Sequence, residues 1–317
     1  MLNIPALPDR YQTILNRLWV SFRTRRWQWL IGVCAFLIIN GYIVYRLARE
    51  WHTIATISWN TANPSDLGLA LVAHLIGTCT VVAAWGMILR QYGTNIPFRK
   101  HFKIYTMANL ARKLPGGLGV DLLSRVYMYD QHGSGRLQIS FATLIEPIIL
   151  GVAATIVLAV ANLFPGYGSS FLPAIVPVGI LVVFLIVLPS PLFRSLLQRI
   201  GRALPEEQQL RWPHLLRWVA LNTITILLGG VTLFFFCRSF GVIDNTILLL
   251  MVQYWALVVV SGTLVAWLPF DIGAMNGITI LALASFMPMP QAIAMLVAWR
   301  IWLTIIEMLW GGVGLIL

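Results

Sequence analysis

An all-α polytopic membrane protein with seven to eight transmembrane helices is the class this sequence predicts, and three observations predict it. Of 317 residues, 59% are apolar and only 10% charged, where a soluble domain carries about 25% charged residues. Mean hydropathy is +0.81. Apolar runs long enough to cross a hydrocarbon core of about 30 Å, which takes about 20 helical residues, recur along the chain. Too few polar side chains remain to coat a water-soluble globule, which excludes a soluble enzyme, a secreted disulfide domain and a disordered chain. The formal charge of +11 then belongs in short loops rather than on a nucleic-acid-binding face.

Residues 1–26 form a basic segment with Arg10, Arg17, Arg23, Arg25 and Arg26 against Asp9. The apolar run that follows is too long for the h-region of a signal peptide, so this segment is expected to stay on the chain, in the cytoplasm. Residues 27–317 read as one transmembrane domain, with apolar runs near 27–46, 66–89, 139–163, 171–192, 215–237, 246–268 and 290–316. The stretch 272–287, between Pro269 and Pro288, is apolar but short, and reads as an eighth span or a half-helix. Basic residues mark cytoplasmic loops. They crowd the N-terminal tail, 90–136 and 194–217, whereas 164–170 has no charge and 238–245 has Arg238 against Asp244. That alternation puts the N-terminus in the cytoplasm. Thirteen Trp and nine Tyr suit interfacial anchoring or core packing.

The segment 90–138 is too charged to span. Within it 101–111 and 120–129 are amphipathic and helix-permissive, separated by Leu114-Pro115-Gly116-Gly117-Leu118-Gly119. A proline and three glycines in six residues are expected to break the helix, giving either a re-entrant hairpin over 98–130 or a surface loop. Irregular backbone is tolerated at membrane depth only where it is buried in protein or lines a wet cavity, so a hairpin that dips into the bilayer points to a site. Leu-Pro-x-x-Leu-Gly at 114–119 recurs as Leu-Pro-x-x-Ile-Gly at 268–273, making 268–288 a second re-entrant candidate. Each copy is followed by Ile-Glu inside an apolar run, 31 residues from Pro115 to Glu146 and 38 from Pro269 to Glu307. Internal repeats with Gly/Pro-interrupted hydrophobic segments point to the midplane site of a transporter.

Ionisable residues in spans cost roughly 2.5–3.5 kcal/mol each on insertion scales and call for a reason. Glu146 lies inside the third span and precedes Pro147, which frees a backbone carbonyl one turn earlier. It reads as a proton carrier or partner of a cation in a cavity, or else as a structural ion pair with an arginine of the hairpin. Arg300 and Glu307, seven residues apart, share a helix face. Arg300 presents a planar fork suited to phosphate, or else makes a salt bridge to Asp271 or Glu146. Arg112 and Lys113 before the glycine turn, with Asp121 and Arg125 after it, make either an anion site built on Gly116, Gly117 and Gly119, or a loop touching anionic lipid heads, with Asp121 as a helix cap. Arginine outnumbers lysine 19 to 3, which phosphate recognition explains, as does codon usage.

Other chemistry is not indicated. Cys34, Cys79 and Cys237 sit in apolar runs without a CxxC pair and read as buried small hydrophobes. His74 reads as a packed polar residue hydrogen-bonded to a neighbour. No P-loop, HExxH, GxSxG or GxGxxG motif is found, no nucleophile–base–orienter set assembles, and no soluble stretch reaches catalytic size. No cofactor, metal or nucleic acid is expected; the expected partners are membrane lipids, and an oligomer is compatible with the sequence.

The run Asn109-Leu-Ala-Arg112-Lys-Leu-Pro115-Gly116-Gly117-Leu-Gly119-Val-Asp121, then Arg125, then Ser140 and Glu146, resembles the first signature of the lysylphosphatidylglycerol synthase transmembrane-region family, also called flippase-like domain proteins. Leu268-Pro269, Gly273 and Asn276, followed by Arg300 and Gly311-Gly312, resemble the second. There the family reads Pro-Gly-Gly-x-Gly-x-x-Glu, and this chain has Phe270 and Asp271 for the glycines and Asn276 near the glutamate, which suggests that Asp271 has the carboxylate role. The resemblance spans about 27–316. It implies about eight helices with re-entrant elements in a prokaryotic cytoplasmic membrane. It further implies movement between leaflets of an aminoacyl-phospholipid, a polyprenyl-phosphate glycan or a hopanoid-like lipid, with no aminoacyl-transferase domain. Phosphate would fall to Arg112, Lys113, Arg125 and Arg300; charge balance or proton coupling to Asp121, Glu146, Asp271 and Glu307. The alternatives are a membrane enzyme acting on a lipid phosphate, with Glu146 or Asp271 as base, and a non-transporting scaffold of glycan or lipid assembly.

Overall fold

The structure is a computed structural model that describes residue 45 and residues 62–112, 117–132, 135–163, 212–265 and 271–316. Among them are eight α-helices and no strand: α1 Pro64–Gln91, α2 Phe98–Arg112, α3 Gly117–Asp130, α4 Arg136–Ala161, α5 Trp212–Ser239, α6 Leu248–Val265, α7 Asp271–Leu283 and α8 Met289–Ile316, with a 3-10 turn at Asn245–Ile247. Four of them, α1, α4, α5 and α8, are long and apolar enough to cross a membrane, and α6 is a shorter apolar helix. These five match the runs expected near 66–89, 139–163, 215–237, 246–268 and 290–316. The runs near 27–46, Tyr45 apart, and 171–192 lie outside the described residues. The 13 residues of α7 extend about 20 Å at 1.5 Å each, so α7 alone falls short of the hydrocarbon thickness.

Local chemistry sets the helix ends. Asn63 caps α1, its Oδ1 accepting from Ser65 N at 3.0 Å, with Pro64 at the first helical position, where no intrahelical N–H is lost. At the other end Gly93 adopts φ 87°, and its N–H and that of Thr94 donate to the carbonyls of Arg90 and Leu89 at 3.1 and 2.9 Å. This is a Schellman closure, which needs the left-handed residue that glycine supplies. Gln138 Oε1 accepts from Gly135 N at 3.1 Å at the start of α4. Helix α3 begins at Gly117, so Gly117 and Gly119 lie in its first turn and not in a turn before it. First-turn N–H groups have no intrahelical acceptor in any case, which lets glycine sit there. Asp121 is accordingly in the second turn of α3 and is not its cap.

Three packed pairs of helices run antiparallel. Asn63 N donates to Ser239 O at 2.7 Å, Asp66 pairs with Arg238, and Gly77 lies against Leu228, so α1 and α5 run antiparallel. Asn162 accepts from Gln253 at 3.1 Å while Gly151 lies against Thr263, making α4 and α6 antiparallel. Gly311 and Gly314 of α8 meet Leu110, Thr106 and Lys103 of α2, so α2 runs against the direction of α8. A Cβ at Gly314 would stand 2.8 Å from Thr106 Oγ1 and 3.2 Å from Lys103 Cα, so a larger residue there would force the hydroxyl to turn and the helices to part slightly. One end of the bundle therefore gathers the C-termini of α1 and α8 with the N-termini of α2, α4 and α5. Arg90, Arg99, Lys100, Lys103, Arg136 and Arg217 lie at that end. At the opposite end Arg238 is paired with Asp66 and stacks over Phe234 and Phe235.

Buried apolar side chains form three clusters. The basic end is filled by Trp85, Tyr92, Tyr105, Phe141 and Trp218; the opposite end by Phe234, Phe236, Met295 and Trp299; the middle by Ala153, Val157, Ile226 and Val260. Outward stripes such as Leu69, Val72 and Ile76 on α1, and Ile301, Ile305 and Met308 on α8, stay exposed at helical spacing, as a lipid-facing surface requires. His74 lies edge-on to Trp302, ring centroids 5.9 Å apart, and its Nε2 has no hydrogen-bond partner, unlike the bonded histidine expected from sequence.

Candidate functional site

Four helices converge on one arginine. Arg125, on α3, is 2% exposed. Its Nε donates to Asp121 Oδ1 at 2.9 Å, one turn earlier, and its Nη1 donates to Glu146 Oε2 on α4 at 2.5 Å. The guanidinium carbon stands 4.5 Å from the ring centre of Trp85 on α1 and 4.7 Å from that of Tyr105 on α2. The Tyr105 hydroxyl in turn donates to the second Glu146 oxygen, Oε1, at 3.1 Å. A buried charge is tolerated when paired and hydrogen-bonded, and here one cation serves two carboxylates, so the formal charge of the centre is −1. Between the two readings of Glu146, the geometry contains the ion pair with an arginine of the hairpin. Arg300 is not the partner of Glu146; Arg125 fills that place.

A second shell of polar contacts lies behind the first. Trp85 Nε1 donates to the Tyr129 hydroxyl at 2.7 Å, and that hydroxyl shares a 2.9 Å hydrogen bond with His101 Nδ1. The spacing explains the meeting: His101 and Tyr105 are four apart on α2, and Arg125 and Tyr129 are four apart on α3, so each pair shares one face. Behind Glu146, Pro147 lacks the N–H that would have bonded the Thr143 carbonyl. At the basic end, Asp130 and Arg136 close the connection from α3 to α4 with bonds of 3.0 and 2.7 Å, and the guanidinium holds the Asp130 carboxyl below its ordinary value.

The remaining expected site residues fall into two groups. Arg112 is the last residue of α2, Gly117 and Gly119 open α3, and Lys113 and Gly116 lie outside the described residues. In the second motif Asp271 and Gly273 lie in the first turn of α7 and Pro269 is outside the described residues. Asn276 is buried on α7, its Oδ1 without a hydrogen-bond partner. Arg300 and Glu307 are half-buried on α8, which packs against both α7 and α2. The structure thus joins Asp121, Arg125 and Glu146 directly. Sequence reasoning missed Trp85, His101, Tyr105 and Tyr129; the available signal was the i, i+4 pairing of polar aromatics with Arg125 on the two hairpin helices.

Fold and site together define a multi-pass helical membrane protein with a charge centre built among its helices. The chain matches the model of the family described as lysylphosphatidylglycerol synthase TM region over residues 31–311, nearly its whole length. It belongs to that family. No curated protein matches it. The family is the membrane region of an enzyme, which relates the chain to lipid synthesis or flipping; among the described residues there is no catalytic domain.

Proposed function

We propose that this chain is a flippase that moves a phosphate-bearing lipid between the leaflets of a prokaryotic cytoplasmic membrane, the basic end of the bundle facing the cytoplasm. The lipid is an aminoacyl-phospholipid, a polyprenyl-phosphate glycan or a hopanoid-like lipid. In this reading α2 and α3 form a re-entrant hairpin whose tip carries Arg112, Lys113 and Gly116, with Arg300 on the facing helix. The observation that carries the proposal is the buried Asp121–Arg125–Glu146 centre. An arginine this deep, shared by two carboxylates, is costly for a merely structural role, whereas exchange of Glu146 for a phosphate at the same guanidinium would let a head group pass through. A proton on Glu146 would release Nη1 for that exchange. Asp121, Asp271 and Glu307 complete the charge balance, with Pro269, Gly273 and Asn276 shaping the second turn.

The test is leaflet exchange in reconstituted vesicles carrying labelled lipids of each class. Exchange is expected to exceed that of empty vesicles for one class, to be lost in Arg125→Met, and to lose its pH dependence in Glu146→Gln. Exchange no faster than in protein-free vesicles, for every class, refutes the proposal.

A further inference from the structure

On the side of α1 turned away from Arg125 lies a basic cleft. Residues of an α-helix are separated by about 100°. Met87 is therefore about 200° around α1 from Trp85, whose ring meets Arg125, and Arg90 and Gln91 flank the same outer side. Together with His214, Arg217 and Trp218 of α5 they line a cleft of about 250 Å³ at the basic end of the bundle. Its lining contains two arginines and no carboxylate. Among the described residues neither Arg90 nor Arg217 has an ion-pair partner. His214 Nδ1 is buried without a hydrogen-bond partner. The floor is apolar, with Trp218 1% exposed and Met87 beside it.

We propose that this cleft binds a phosphate-bearing anion at the membrane surface, independently of the Arg125 centre. Two exposed arginines on one cleft leave a positive potential there that an anion relieves, and arginine offers the planar fork that phosphate accepts. The volume falls just below the roughly 300–1,000 Å³ of sites that enclose a whole drug-sized ligand, so it suits a head group and not an entire lipid. A polar rim over an apolar floor at the end of two spans matches a phosphodiester with its chains leaving towards the bilayer. Basic pockets between helices on this side of a membrane hold anionic head groups in the same way. The same chemistry would accept free phosphate.

The experiment uses the full chain in detergent and follows its melting temperature during titration with short-chain phosphatidylglycerol in one arm and inorganic phosphate in the other. Parent protein, the double variant R90Q/R217Q and the control R99Q, which removes a charge from the same end outside the cleft, are compared. At about 1 kcal/mol per basic residue, the half-saturating concentration of the effective probe should rise roughly 30-fold in R90Q/R217Q and stay within about twofold in R99Q. A saturable, Arg90- and Arg217-dependent effect of phosphatidylglycerol assigns the site to a lipid head group; the same effect of phosphate alone assigns it to a soluble anion. If neither probe shows such an effect, or R99Q loses as much as the double variant, the site does not exist.

Discussion

Removing Arg125 should cost more than removing either carboxylate, and the geometry sets by how much. Arg125→Met deletes two charge-assisted hydrogen bonds, at 2.9 Å to Asp121 and 2.5 Å to Glu146, each worth roughly 1.5–3 kcal/mol. It also deletes two cation–π contacts of about 0.5–2 kcal/mol each. Against this stands the desolvation cost of a guanidinium that is 2% exposed, which the variant no longer bears. Breaking a buried pair at one side nets about 3–5 kcal/mol, because Asp121 and Glu146 are left as uncompensated charges. At about 2–4 °C per kcal/mol for a chain of this order of size, the melting temperature should fall by roughly 6–20 °C. Glu146→Gln behaves differently: it keeps the Arg125–Asp121 pair and takes the centre from a formal −1 to neutral, so its cost stays near 1–2 kcal/mol. The double variant Arg125→Met/Glu146→Gln should then be more stable than Arg125→Met alone, since one orphaned carboxylate is gone. The assay is the soluble fraction of detergent-purified protein by size exclusion after heating. An Arg125→Met protein melting within about 2 °C of the parent, or a double variant less stable than Arg125→Met, refutes the reasoning.

The packing around this centre and at the basic end sets three further outcomes. Tyr105→Phe removes the donor to Glu146 Oε1 but keeps the ring over the guanidinium, and should destabilise by about 1.5–3 kcal/mol, with Tyr105→Leu worse, in the same melting assay. Gly314→Ala drives a Cβ onto Lys103 Cα and Thr106 Oγ1 and should cost about 1–3 kcal/mol, whereas Gly312→Ala, which meets nothing within 4 Å, should be neutral or stabilising; equal melting temperatures for the two would refute the close packing of α2 on α8. Asp130→Asn should have a small effect, because the pair with Arg136 is exposed and screened. The Asp130 carboxyl is held below its ordinary value when folded, so its contribution is complete above the unfolded carboxyl's range and is lost as pH falls through the folded one; melting curves of parent and variant should converge in acid and in high salt.

What could be read from the sequence was what a single segment carries in itself. Apolar length marks a span without reference to any neighbour, so α1, α4, α5 and α8 lay where the runs lay. The Pro-Gly-Gly turn likewise marked the boundary between α2 and α3. Glu146 drew notice as a charge inside a span, with a hairpin arginine as one candidate partner, but which arginine was not legible, because the pair joins residues 21 apart on different helices, which no spacing rule encodes. Trp85 carried no signal because an aromatic residue in an apolar run looks like core filling until the cation it faces is known. The start of α3 was misjudged for a local reason: glycine is penalised inside a helix but not in a first turn, so Gly117 and Gly119 extended the helix and moved Asp121 from cap to ion-pair partner.

The charge count at the centre limits how any phosphate can use it. Arg125 already balances one of its two carboxylates, so a phosphate arriving beside an ionised Glu146 would raise the formal charge from −1 to −2 or beyond. Two like unit charges about 4 Å apart cost on the order of 4 kcal/mol at an effective dielectric of 20, which offsets what one opposite charge at the same distance returns. The proposed mechanism therefore favours a phosphate that replaces a carboxylate at Arg125 over one that joins it. In the proposed mechanism either Glu146 takes up a proton as the head group arrives or further cations come with it; Arg112 at the end of α2 and Lys113 next to it in sequence would supply them, since Arg136, nearer in the chain, is already paired with Asp130. No such exchange is required at the Arg90–Arg217 cleft, whose lining holds no carboxylate. The two proposed sites, on opposite sides of α1, thus differ in kind: a phosphate would enter one without displacing a charged group, and the other only in trade for a charge it already holds.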